Sequence, residues 1–335
     1  MRLPAALLGL LALAAAAHAG EKINGVSFVA DRHAVAEHHV QPVIDVGANF
    51  AAVMPFAFLR RLNHPQLVFD TDRQWFGETR AGARQSIEAL HDAGIEVMLK
   101  PHIWVRGNGY TGDIRMRTET DWLQFEAGYR RFAIAFAELA EEANVSIYCI
   151  GTELEEFVLT RPAFWAQLIR EIRQVFSGKL TYAANWDEYR RDPFWEALDF
   201  IGIDAYFPLS DEASPDARQL RAGWRAWKQA IRVSSERVNR PILFTEFGYR
   251  SIDHTAKAPW SAEPGDQPAN LIAQALATRT LMEEFWPEPW FAGGFVWKWF
   301  IDHERAGGEQ NNRFTPQNKP AQRVLQEFYG RWDTP

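Results

Sequence analysis

The alternation of short strand-like runs with longer amphipathic segments constrains the fold of this chain more than any other feature. Eight apolar runs, rich in β-branched and aromatic residues, have the length of strands and are bounded by turn-forming residues. They span residues 25–29, 50–54, 96–100, 146–151, 180–184, 200–204, 242–245 and 293–297. Clear helical segments lie between them at residues 79–92, 121–143, 162–176, 219–238 and 267–285. We expect an α/β fold in which every strand is followed by a helix, as in a single (β/α)8 TIM barrel, because the alternative, a doubly wound open sheet, rarely contains eight such units.

The first 19 residues have the pattern of a secretory signal peptide. A basic Arg2 precedes an apolar run over residues 3–17, and Ala17 and Ala19 occupy the two key positions of a cleavage site. The run is shorter than the roughly 20 apolar residues that a membrane-spanning helix needs. We therefore predict that residues 1–19 are removed on export to the periplasm or the medium, and that residues 20–335 form the barrel domain without membrane insertion.

The composition argues against several partners and scaffolds. A net charge of −7 without clustered Lys and Arg disfavours nucleic acid and anionic membrane surfaces. The single Cys149 cannot form an internal disulfide, so an apolar core must hold the fold. The 14 Trp and 23 Phe suit both core packing and stacking on the apolar faces of sugar rings. An oligosaccharide or polysaccharide is the expected partner, and a monomer is the expected state.

Polar and aromatic side chains follow the predicted strands at their carboxyl ends, where TIM-barrel enzymes place their active sites. In strand order these candidates are Lys100, His102 and Trp104, then Thr152 and Glu153, then Asn185 and Trp186, then Tyr206, Glu246 and finally Trp297. Trp260 lies in the segment that follows the seventh strand. The four tryptophans are candidate stacking platforms, whereas Lys100, Asn185 and Tyr206 are candidates for orienting a nucleophile and a sugar.

Two of these candidates, Glu153 and Glu246, have the residue type and placement that cleavage of a glycosidic bond requires. One carboxylic acid must protonate the leaving oxygen, and a nearby carboxylate must attack the anomeric carbon if configuration is retained. Either glutamate alone is equally well explained as a salt-bridged rim residue. Glu155 is an alternative to Glu153, but it lies farther from the strand end.

Several stretches resemble glycoside hydrolase family 113, a clan A family best known for endo-β-1,4-mannanases. They are KPHIWV, CIGTELEEF, LTYAANWDEY, FIGIDAYFPL, LFTEFGYRS and GGFVWKWF, and the similarity runs from about residue 25 to the closing TPQNKPAQRVLQEFY. The resemblance implies that Glu153 is the acid/base, that Glu246 is the nucleophile and that Tyr206 bonds to the nucleophile. It also implies retaining hydrolysis of β-1,4-linked mannan, glucomannan or manno-oligosaccharides without a metal or organic cofactor.

One residue departs from the clan pattern. Thr152 stands before the acid/base, where most of the clan has an Asn that contacts the sugar 2-hydroxyl. Because the 2-hydroxyl of mannose is axial, a different partner is physically reasonable, and Thr152, Asn185 and His102 all stay candidates. His102 is equally well explained as a buried structural imidazole.

Other functions have weaker support in the sequence. Residues 107–112 spell G-x-G-x-x-G, but no helix opens directly on the third glycine, so we interpret the segment as a mobile substrate-side loop rather than a dinucleotide site. His33, His38 and His39 lack the spacing of zinc ligands, and no G-x-S-x-G indicates a serine hydrolase. A hydrolase of another β-linked glucan or xylan, or a non-catalytic carbohydrate-binding barrel, is the alternative function.

Overall fold

The computed structural model describes residues 22–107, 109–262 and 267–332. The predicted signal peptide lies outside these residues. Eleven strands are present in the described part of the chain. They are β1 (Ile23–Phe28), β2 (Phe50–Val53), β3 (Phe56–Leu59), β4 (Leu67–Phe69), β5 (Glu96–Leu99), β6 (His102–Val105), β7 (Ile147–Thr152), β8 (Lys179–Asn185), β9 (Ile201–Asp204), β10 (Ile242–Phe247) and β11 (Phe291–Trp299).

Eight of the strands form a closed parallel barrel in the order β1, β2, β5, β7, β8, β9, β10 and β11. These are the eight strands predicted from the sequence, so the (β/α)8 fold is confirmed. The interior of the barrel is filled by one buried cluster, which includes Ala52, Met98, Cys149, Leu243 and Phe295. This tight filling leaves room only for glycine beside Phe295, because a Cβ on Gly25 would lie 2.3 Å from its ring.

Helices cover the outside of the barrel and bury the larger part of the apolar core. They are α1 (Glu37–Asp45), α2 (Arg80–Asp92), α3 (Glu119–Glu142), α4 (Glu155–Thr160), α5 (Pro162–Val175), α6 (Ala217–Val238), α7 (Leu271–Phe285) and α8 (Pro320–Trp332). Local signals fix several starts. Thr79 caps α2 through Gly82 N, and Asp216 and Gln219 form a reciprocal capping box on α6. None of the helices in the described ranges is long and apolar enough to cross a membrane.

The structure differs from the expected alternation after the second, third and fifth barrel strands. Beyond the carboxyl ends of β2 and β5, the chain forms a separate three-stranded sheet in the order β4, β3 and β6. No α-helix separates β8 from β9, so the expectation of a helix after every strand is wrong there. The connection contains only the short 3-10 turn Trp195–Ala197, and Pro193 within it is unfavourable to a continuous helix.

Candidate active site

A cavity of about 730 Å³ opens at the carboxyl ends of the barrel strands. Seven of the eleven predicted site residues line it, namely Glu153, Glu246, Asn185, Trp186, Tyr206, Trp260 and Trp297. The other lining residues are Tyr110, Asp187, Ser261, Ala262 and Phe314. Both predicted catalytic glutamates therefore face the same space, although they come from strands four and seven of the barrel.

Glu246 is held by two donors at the end of β10. Lys100 Nζ lies 2.6 Å from its Oε1, and the Tyr206 hydroxyl donates to its Oε2 at 2.7 Å. Its side chain is almost fully buried. The register of β10 against β9 shifts between Phe244 and Glu246, and such an irregularity next to a site re-aims the side chain that follows it. The ammonium and hydroxyl donors together fix the orientation of the carboxylate.

Lys100 lies beneath the cavity rather than at its surface, with no exposed side-chain area. Its Nζ also contacts Asp204 Oδ1 at 3.1 Å, and Asp204 accepts a hydrogen bond from Thr245 Oγ1 at 2.7 Å. Burial by itself would lower the pKa of Lys100, but the carboxylates of Asp204 and Glu246 outweigh it and raise that pKa above its ordinary value. Lys100 is therefore a charged, buried support of Glu246 and presents no surface to a sugar.

Glu153 follows β7 in a left-handed backbone conformation, with φ of 49°. That conformation is unfavourable for a residue with a side chain, by about 1–2 kcal/mol, and is held here by the surrounding structure. Its amide donates to Ala183 O at 2.8 Å, and the next amide, of Leu154, donates to the Tyr182 hydroxyl at 2.7 Å. Within the described residues, no protein donor contacts the Glu153 carboxyl group. Desolvation, and then the negative charges of Asp204 and Glu246, raise its pKa well above the ordinary range.

Glu188 connects Tyr182, which supports the backbone next to Glu153, with Asn185. Its Oε1 accepts a hydrogen bond from the Tyr182 hydroxyl at 2.9 Å, and its Oε2 accepts one from the Asn185 amide at 3.0 Å. Burial raises the pKa of Glu188 to about 7. Asn185 in turn donates through Nδ2 to the Tyr110 hydroxyl at 2.9 Å. One buried carboxyl group thus connects the backbone next to Glu153 with the backbone of Asn185, whose side chain lines the cavity.

Aromatic rings form two parts of the cavity wall. Trp186 and Trp260 stack with centroids 5.1 Å apart and an interplanar angle of 19°. Trp297 lies nearly parallel to His102, at 6.2 Å and 17°. His102 Nε2 is 4.0 Å from Glu246 Oε1, and burial, with the nearby Lys100 charge, lowers the pKa of this imidazole well below its usual value. His102 is therefore a neutral ring beside Trp297 and is not among the residues that line the cavity.

Three further sequence predictions lie outside the cavity. Thr152 is buried at the end of β7. Trp104 is 43% exposed, but it borders a separate groove on the three-stranded sheet. Glu155, the alternative acid/base, starts α4 and pairs with Arg191 away from the cavity. The structure therefore favours Glu153 over Glu155 by position.

Some residues of the site were absent from the sequence prediction. Asp204 ends β9 and meets the strand-end criterion that selected Glu153, so a signal for it was present. Tyr110 belongs to the G-x-G-x-x-G segment, whose interpretation as a substrate-side loop agrees with its place in the cavity wall. Phe314 packs edge-on against Tyr206 at 6.0 Å and comes from the segment after β11, where no sequence pattern indicated a site residue.

Comparisons with known proteins support the fold, and one of them identifies the family. The sequence profile of Glycoside Hydrolase Family 113 matches residues 30–319. No protein of curated function matches the chain. A solved structure described as a complex of a GH113 β-1,4-mannanase is 20% identical, with a TM-score of 0.80, over 92% of this chain and 99% of that one. A GH113 β-mannanase from Alicyclobacillus acidocaldarius is 21% identical, with a TM-score of 0.80, over 93% and 98%. A β-glucuronidase from Faecalibacterium prausnitzii, at 15% identity and a TM-score of 0.62, shares the fold over 93% of this chain and 49% of its own.

Proposed function

Because this chain belongs to Glycoside Hydrolase Family 113 and is a glycosidase, we propose that it hydrolyses β-1,4-linked mannan, glucomannan or manno-oligosaccharides with retention of configuration. The observation that carries the proposal is the pair of glutamates in one cavity with different surroundings. Glu246 receives an ammonium and a hydroxyl donor, whereas Glu153 is desolvated, has a raised pKa and has no protein donor within the described residues. Retaining glycosidases need one ionised and one protonated carboxyl group of this kind.

The first step joins the substrate to the enzyme. A carboxylate oxygen of Glu246 forms a bond to the anomeric carbon while the bond from that carbon to the glycosidic oxygen breaks, and Glu153 gives its proton to the leaving oxygen. In the second step Glu153, now ionised, removes a proton from water. The resulting oxygen attacks the anomeric carbon, releases Glu246 as a carboxylate and leaves Glu153 protonated again. Two inversions at the same carbon retain the configuration.

The neighbouring residues support this chemistry by position. Lys100 and Tyr206 hold the two oxygens of Glu246, so attack occurs from a fixed carboxylate. Trp297 lines the cavity and is our candidate platform for the sugar at the cleaved bond. Among Thr152, Asn185 and His102, only Asn185 lines the cavity. It is therefore our choice for contact with the axial 2-hydroxyl, because its amide keeps a second N–H beyond the one given to Tyr110.

Mannan as the substrate is supported by the family and by the aromatic walls of the cavity. A site that hydrogen-bonds one hydroxyl disfavours the wrong epimer by leaving buried groups unpaired, at about 1–3 kcal/mol for each. We therefore expect kcat/KM for mannan to exceed that for cellulose, xylan and laminarin. Faster hydrolysis of cellulose or xylan would refute the choice of substrate, whereas no hydrolysis of any of them would favour a carbohydrate-binding barrel.

Proton NMR of the first-formed product tests the mechanism directly. Retention predicts that the β-anomer is released first and then mutarotates, with Glu246→Gln as the inactive control. Initial release of the α-anomer would eliminate Glu246 as a nucleophile.

Export is a separate proposal that rests on residues 1–19, and it predicts that the N-terminus of the mature protein lies near Gly20. A cytosolic protein that begins at Met1 would contradict it.

A further inference from the structure

The three-stranded sheet above the barrel rim has an aromatic face, which is half-buried at Phe56, Phe58 and His102 and exposed at Trp104. Side chains alternate along β3 and β6, so Ala57, Leu59, Ile103 and Val105 are buried and the residues between them face outward. The outward residues pair across the two strands, Phe56 with His102 and Phe58 with Trp104. Their ring centroids lie 5.4 Å and 5.9 Å apart, respectively.

These rings continue the aromatic wall of the cavity. Trp297 lines the cavity and lies parallel to His102, and Trp104 follows two residues later on the same face of β6. A strand advances by about 3.3 Å per residue, so the step from His102 to Trp104 covers roughly 7 Å. We call Trp297, His102, Phe56, Phe58 and Trp104 the aromatic strip. It leads from the nucleophile to a groove of about 380 Å³ beside Trp104.

The strip lies on the nucleophile's side of the cleaved bond. His102 Nε2 is 4.0 Å from Glu246 Oε1, whereas the charge of Glu153 acts on Tyr110, which accepts a hydrogen bond from Asn185. Glu153 protonates the oxygen that departs, so the leaving part of the substrate extends past it. The part that becomes bonded to Glu246 extends in the opposite direction, toward the strip.

We propose that the aromatic strip binds the glycone part of a β-linked mannan chain beyond the sugar at the cleaved bond, with Trp104 as its outermost platform. The inference rests on the proposed function, because it assumes a chain that extends from the same cavity. Sugar rings present apolar C–H faces that aromatic rings cover well. Trp104 is 43% exposed and Val68 beside it is 42% exposed, so this face has apolar surface available for a ligand.

Aryl β-manno-oligosaccharides test the proposal, because the 4-nitrophenyl group occupies the leaving side and each added mannose lengthens only the glycone. For the wild type we expect kcat/KM for nitrophenol release to rise with glycone length. Trp104→Ala should lower kcat/KM roughly tenfold for the longest substrate and change kcat/KM for the shortest by less than about twofold. Trp104→Phe should restore part of the rise, because it restores a ring.

A matched control separates stacking from general loss of a surface tryptophan. Trp75 is 42% exposed, lies outside the strip and packs over the Arg32 side chain. Trp75→Ala should leave the dependence on glycone length unchanged.

Two results would overturn the strip as a glycone platform. One is an equal loss at every glycone length in Trp104→Ala, and the other is an unchanged rise with length. If the wild type releases nitrophenol from aryl cello-oligosaccharides but not from aryl mannosides, the substrate proposal fails. The same comparison of lengths, made with the cello series, then decides the role of the strip independently.

Discussion

Replacing Lys100 by Met tests whether the cation beneath the cavity supports Glu246. The Lys100 side chain is fully buried, with Nζ 2.6 Å from Glu246 Oε1 and 3.1 Å from Asp204 Oδ1. Methionine is close to lysine in length but removes the charge, which leaves two carboxylates buried beside each other. Removing one partner of a buried ion pair destabilises a protein by about 3–5 kcal/mol. Displacement of Glu246, the proposed nucleophile, should also lower kcat by about 100-fold, since misplacement by about 1 Å has an effect of that size.

The loss of stability should depend on pH in a defined direction. Without Lys100, one of the two carboxyl groups is expected to bind a proton on folding, so its folded pKa lies above its unfolded pKa. Such a group stabilises the fold below the unfolded pKa, and this contribution is lost as the pH rises through the folded pKa. Burial and the charge of Glu246 already raise the pKa of Asp204 to about 7 in the wild type. The difference in unfolding free energy between wild type and Lys100→Met should therefore grow mainly above pH 7, by up to about 1.4 kcal/mol per pH unit for one proton.

Lys319 provides a matched control of opposite sign. It is 4% exposed, and its Nζ donates to Ser251 Oγ at 2.9 Å and to Arg313 O at 2.8 Å. No carboxylate of the described residues pairs with it, and burial lowers its pKa from 10.5 to about 7. The unfolded chain binds more protons between these pKa values, so wild-type stability rises with pH across that window. Lys319→Met should stabilise the fold at pH 7 by about 2 kcal/mol, after allowance for two hydrogen bonds of about 1 kcal/mol each, and lose that advantage near pH 10.

Urea unfolding followed by tryptophan fluorescence at pH 5, 7 and 9 measures both variants on the same scale. The expected result is opposite signs at pH 7, with Lys100→Met destabilised and Lys319→Met stabilised. Shifts of the same sign, or a loss in Lys100→Met that does not change with pH, would refute the charge argument. In that case the packing of the aliphatic stem would account for the effect of Lys100.

Three further predictions concern the supports of the two glutamates. Tyr206→Phe should lower kcat about 10- to 100-fold with little change in KM, because one hydrogen bond to a charged group contributes about 1.5–3 kcal/mol. The control is Tyr249→Phe, which should leave kcat unchanged because the buried Tyr249 hydroxyl has no partner in the described structure. Glu153→Gln should lower kcat on mannan about 10²- to 10⁴-fold and abolish the alkaline limb of the pH–rate profile. Wild-type activity should fall as the pH rises through the raised pKa of Glu153, the proposed acid. An unchanged alkaline limb would assign that limb to another group. The wild type should lose stability as the pH rises from about 4.5 to 7, because the raised folded pKa of Glu188 stabilises the fold only at the acid end of that range. Glu188→Gln should remove this loss. Thermal midpoints at pH 5 and 8 measure it, and parallel shifts of both proteins would argue against the assignment.

Local sequence patterns were sufficient to predict the barrel. Each barrel strand is a short apolar run, and burial on both faces demands such a run wherever parallel strands are covered by helices. Strand ends also follow from these patterns, and Glu153 and Glu246 were selected because both lie where a barrel strand stops. The segment between β8 and β9 shows the limit of this reasoning, because alternation alone suggested a helix where Glu188 instead folds back to the Asn185 amide.

Tertiary structure alone decided which residues near the strand ends reach the cavity. Lys100 and Trp104 both follow the third barrel strand, yet one is buried under Glu246 and the other lies on a separate sheet. Lys100 meets Asp204 and Glu246 across 104 and 146 residues of sequence, so only closure of the barrel could bring them together. Trp104 leaves the cavity because β6 pairs with β3 rather than with a barrel strand. The direction of a side chain beyond a strand end depends on such long-range pairing and packing. The periodicity of the sequence does not determine that direction.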